Sequence, residues 1–170
     1  MPKAQAEATF RLPPPRERTV ALPQAVLRDV AALDLDAVVS SWPSWDEVAA
    51  DIAKTMSGPL IDKGLNETRE KYVDAEGLRA RLGRLVSTWP QTKQRLEAQL
   101  IPAKQLQRML VAAGAPSRPE DIGLTPQAVQ EAFPRAMYYR SRYTVLDVAR
   151  EIGWFGELVD EVFAPGGVWS

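Results

Sequence analysis

Fourteen prolines spread along 170 residues set the scale of any regular element this chain can form. Proline lacks a backbone N–H and clashes with the carbonyl four residues earlier. It therefore suits the first turn of a helix and opposes the interior. Between the prolines, apolar residues recur at helical spacing, and no hairpin signal joins two alternating segments. The expected architecture is all-α: an irregular bundle of about seven or eight short, proline-punctuated helices.

Residues 1–20 read as a disordered leader. Leu12-Pro13-Pro14-Pro15-Arg16-Glu17-Arg18 has no periodic apolar face and favours an extended backbone; its other reading is a ligand for a partner domain. Residues 21–170 read as one helical domain. Pro23 opens a helix to about Leu33, with Val26, Leu27, Val30 and Leu33 as its stripe. Asp34 to Ser41 forms a second, short segment, which Trp42-Pro43-Ser44 breaks. Ser44-Trp45-Asp46-Glu47 matches a capping box, and the helix after it places Val48, Ala49 and Ile52 on one face. Gly58-Pro59 restarts the chain, and Gly64 weakens the next helix by about 1 kcal/mol relative to alanine.

Asp74 reads as an N-cap for a helix with Leu78, Leu82, Leu85 and Val86 inward. Trp89-Pro90 is expected to end that helix and start another, through Leu96 and Leu100. After Ile101-Pro102, the stripe Leu106, Met109, Leu110 and Ala113 runs to a stop at Gly114. A turn through Pro116 and Pro119 leads to a helix at Thr125-Pro126, which Pro134 must kink or restart. Asp147 is expected to cap a helix into Glu151, stopped by Gly153, and Leu158 to Phe163 adds an amphipathic segment. The apolar end Val168-Trp169 is expected to dock back on the body.

Composition narrows the chemistry. An apolar share of 45% supplies a real core. With 21 basic and 22 acidic side chains, the net charge of −1 argues against a nucleic-acid partner. No apolar run reaches the roughly 20 residues of a membrane helix, and no secretory signal is visible, so the cytoplasm is the expected compartment. The chain has no cysteine and no histidine. Disulfides, thiolate nucleophiles, Ser-His-Asp triads and His-ligated metals are thereby excluded from this polypeptide.

Four clusters are candidate sites. Glu120/Asp121 and Asp160/Glu161 could bind a hard cation, but the first fits a turn and the second a solvated face better. Arg79, Arg81 and Arg84 could read phosphate, but fit a solvated helix face better. Arg135, Arg140 and Arg142, with Tyr138, Tyr139 and Tyr143, could hold an anion or stack a base. A packed seam with bridges to Glu131 or Asp147 fits them better. The glycines at 153, 156, 166 and 167 lack the strand and helix of a nucleotide loop. No catalytic, cofactor-binding or metal-binding residue is assigned.

Met109-Leu-Val-Ala-Ala-Gly-Ala-Pro116, Pro119-Glu-Asp-Ile-Gly-Leu124 and Arg140-Ser-Arg-Tyr-Thr-Val-Leu-Asp147 resemble the C-terminal helical part of bacterial sn-glycerol-1-phosphate dehydrogenase-like proteins. These belong to the iron-containing alcohol dehydrogenase and dehydroquinate synthase-like superfamily. A complete member implies an α/β domain for NAD(P) and a helical domain that holds zinc or nickel through an Asp and two His. This chain has neither the nucleotide half nor any His, so no site residue carries over. The resemblance implies a helical subdomain or small subunit, inactive alone, whose partner chain carries the nucleotide- and metal-binding half. The alternative is a non-catalytic helical interaction protein or a degenerate remnant. A fragment lacking its other half is expected to form a homo-oligomer or bind that partner through an apolar surface at Val26, Val30 and Leu33, whereas a stable monomer fits the alternative.

Overall fold

The computed structural model describes residues 30–167 and residue 169. The Pro-rich leader, most of the helix expected from Pro23, and Val168 lie outside the described residues. Eight α-helices follow in order: α1 Leu35–Ser40, α2 Trp45–Thr55, α3 Pro59–Lys71, α4 Ala75–Gln99, α5 Ala103–Ala112, α6 Pro126–Tyr138, α7 Val145–Glu151 and α8 Phe155–Phe163. Short 3-10 turns cover Val30–Ala32 and Pro119–Ile122, and no strand occurs among the described residues. The protein is all-α.

Local signals place most boundaries. The Ser44 side chain accepts from the Glu47 N–H while Glu47 accepts from the Ser44 N–H at 2.8 Å, so two orphan donors of α2 are satisfied reciprocally. Asp74 accepts from the Gly77 N–H at 2.8 Å and starts α4. Gly153 ends α7 in the left-handed region, at a φ of 79°, where a side chain would be strained.

The core has two main lobes. In one, Val48 and Ile52 of α2 and Met56 just beyond its end meet Met137 and Tyr138 of α6, with Ile61 and Leu65 of α3 alongside. Gly64 makes this approach close, since a Cβ there would lie 3.0 Å from Ile52 Cγ2. In the other, Leu78 and Leu82 of α4 meet Ile152, flanked by Leu33, Leu35 and Trp42. Full burial of each such aliphatic side chain contributes about 1.5–3 kcal/mol. Tyr72 and Trp42 join the lobes: Trp42 Nε1 donates to the Val73 carbonyl at 2.8 Å and Tyr72 donates to the Pro43 carbonyl at 3.0 Å. Trp169 docks back, its N–H on the Val162 carbonyl and its ring 5.6 Å from that of Phe163.

Several expectations are corrected. Trp89-Pro90 does not divide a helix: α4 runs unbroken for 25 residues. Pro90 is exposed while Trp89 is buried, so the break in the bonding ladder lies on the solvent side of a helix that continues past it. Pro134 does not restart a helix: α6 runs through it, and the buried pair Met137 and Tyr138 follows within the next turn. Thr144, and not Asp147, caps α7; Asp147 completes the capping box from the third helical position. Met109 and Ala113 are exposed, and only Leu106 and Leu110 of their stripe turn inward. Val30 is fully buried and Leu33 packs on the Leu78 cluster, so neither offers the free apolar surface expected there.

Candidate functional site

Helix α7 has two opposed faces, and each borders a different environment. Asp147 and Glu151, four residues apart, point toward α3 and α4. Val145, Leu146 and Ala149 point toward a large apolar groove.

On the charged face, Lys71 Nζ lies 2.6 Å from Asp147 Oδ1 and donates to the Met137 carbonyl at 2.5 Å. The other Asp147 oxygen accepts from the Thr144 N–H at 2.7 Å. Glu151 is paired with Arg81 and accepts from the Tyr143 hydroxyl at 2.5 Å. Burial pushes the Glu151 carboxyl above the usual carboxylate range, against the pull of Tyr143 and Arg81. Burial also raises the Tyr143 and Tyr138 hydroxyls. Tyr138 donates to Asp51, and the Arg150 guanidinium sits 5.3 Å from its ring centre. A recess of about 20 Å³ remains among Thr68, Lys71, Asp147 and Glu151, and Thr68 Oγ1 beside it has no hydrogen-bond partner. Each carboxylate of this seam faces a cation, which makes it a clamp between α3, α4 and α7.

The seam therefore has different members from those expected. Tyr138 and Tyr143 belong to it. Their cations are Arg150 and Arg81, and Arg81 is not on a solvated face. Arg135 instead donates to the Thr55 carbonyl at 3.2 Å. Arg140 and Arg142 are exposed, and Tyr139 packs under Lys63. Neither proposed bridge forms: Glu131 accepts from Gln127, and Asp147 takes Lys71. Asp121 caps the turn before it, accepting from the Ser117 N–H at 2.7 Å and the Arg118 N–H at 3.0 Å. These amides, Ser117 first, hold its carboxyl below the usual range. Asp160 accepts from Gln130 at 2.9 Å. Among the described residues no three acidic side chains form a metal-binding group.

The groove has a volume of about 590 Å³. Its floor is Ala149 of α7 with Leu158 and Val162 of α8, and Phe133 of α6 closes one side. The far wall is α5, through Leu106 and Leu110, and the turn that carries Pro119, Ile122 and Leu124. No residue of α5 is buried. Ile122 is 60% and Leu124 44% exposed, so the apolar surface continues onto the rim. Polar groups on the lining are few: Gln107, Ser117 and Arg118. The sequence carried a signal for this in the amphipathic stripes of α5 and α8, but nothing local says that the two faces stand apart.

No family model, curated protein or solved structure matches this chain.

Proposed function

We propose that the chain is a non-catalytic helical binding protein and that the apolar groove is its working surface. The observation that carries this is the unfilled space of about 590 Å³ between α5, none of whose residues is fully buried, and α6 to α8. Protein interiors normally close such spaces, and apolar patches left open on a monomer mark binding sites. The lack of histidine and cysteine supports a binding role over a catalytic one. A role as the small subunit of a dehydrogenase, with NAD(P) and metal held by another chain, draws on the sequence resemblance alone.

The test uses the neutral apolar dye Nile red with the full chain and with Leu110→Lys. The dye is expected to bind at one site per chain with a blue-shifted emission. Leu110→Lys places a charge on the groove wall, on a helix with no buried residue, and is expected to abolish binding while circular dichroism and Tm hold. Equal dye binding by wild type and variant, or none by either, overturns the proposal.

A further inference from the structure

We propose that the groove, taken as the binding surface argued above, seats a free long-chain carboxylate, with its acyl chain along the apolar walls and its head group on Arg118. The lining divides unevenly. Its α6, α7 and α8 walls present only aliphatic and aromatic side chains. Such walls give no partner to a polar group and suit an unbranched hydrocarbon, which has none to satisfy. The volume falls within the ~300–1,000 Å³ common for small-ligand sites.

Charge is confined to one place. Arg118 is the only charged residue on the lining, and Ser117 stands directly before it. Arg118 makes no salt bridge among the described residues; Asp121 beside it, whose ionised form Arg118 favours, is held chiefly by the backbone amides of Ser117 and Arg118. An exposed arginine on the lining of an otherwise apolar trough is the complement of an amphiphile with one anionic end. A docked amphipathic helix keeps its outer face in water and gains from polar partners along both lips. Here two of the three polar lining residues are consecutive in the chain, which favours a single head group.

The experiment titrates the full chain calorimetrically with oleate, kept below its aggregation limit, and with oleyl alcohol, alongside displacement of Nile red. Oleate is expected to bind at one per chain and to displace the dye. Arg118→Gln, an exposed position where folding is undisturbed, is expected to weaken oleate about tenfold, in line with loss of one charged hydrogen bond, and to leave oleyl alcohol unchanged. Equal affinity for oleate and oleyl alcohol overturns the proposal, as does an Arg118→Gln variant that binds oleate normally. Binding to phosphatidylglycerol vesicles without binding of free oleate overturns it in favour of a membrane surface. Nile red bound in the groove but displaced by neither ligand overturns the acyl assignment and spares the groove. Loss of Nile red binding itself removes both.

Discussion

Lys71 at the end of α3 and Asp147 in α7, 76 positions apart in sequence by their numbers, meet at 2.6 Å with both side chains under a tenth exposed. Their pairing fixes α7 between the two lobes of the core. The desolvation of two such charges offsets much of their attraction, yet removal of one leaves the other buried and unpaired.

Lys71→Met and Asp147→Asn are each expected to destabilise the fold by about 3–5 kcal/mol. The double variant removes both charges and should fall short of the sum of the singles by about 0.5–3 kcal/mol. Urea unfolding of the four proteins measures the coupling. Additive losses would show that the pair contributes nothing as a pair.

Two glycines inside helices should respond oppositely to alanine. At Gly83 of α4 a Cβ meets nothing within 4 Å, so Gly83→Ala should stabilise by about 0.5–1 kcal/mol through helix propensity. At Gly64 the same Cβ lies 3.0 Å from Ile52, which is fully buried and has no room to give. Gly64→Ala should therefore destabilise by about 1–3 kcal/mol despite its better propensity. Thermal midpoints of the two variants decide this, and a rise in both would remove the argument for a tight α2–α3 crossing.

Glu151 gives the stability of this fold an unusual pH dependence. Its carboxyl titrates above the ordinary value of 4.5, so the folded state holds that proton more tightly than the unfolded chain. The contribution is full below 4.5 and is lost as pH rises through the folded pKa. Glu67 acts in the opposite sense: the Ser141 N–H lowers its carboxyl, so its contribution is present above 4.5 and lost as pH falls. Glu151→Gln should therefore gain stability relative to wild type as pH rises from the acid side through that window. Chemical denaturation at a series of pH values reads the slope, and parallel curves for the two proteins would refute the assignment.

The sequence was legible wherever cause and effect lie within one helical turn. Ser44 and Glu47 satisfy each other's amides three residues apart, and Gly153 stops α7 by its own backbone freedom. It misled where distant packing decides. Pro90 signals a break, but α4 runs through it with Trp89 buried beside it and the proline turned to solvent. Arg81 looks solvated among its neighbours on α4, and its partner Glu151 is 70 residues away. The groove was invisible for the same reason: its walls come from six separate segments, and an amphipathic stripe does not reveal how far it stands from the next.

Helix α4 spans about 37 Å at ~1.5 Å per residue, and its last buried residue is Trp89. Beyond Trp89 no residue of α4 is buried, and α5 follows its end across the Ile101-Pro102 joint. That stretch is about 15 Å long, so a bend of about ten degrees at Trp89 displaces its tip by about 2–3 Å. The width of the space between α5 and α8 thus depends on two supports at once, the straightness of α4 past Pro90 and the buried Pro119 turn that ties the other end of α5 to α6.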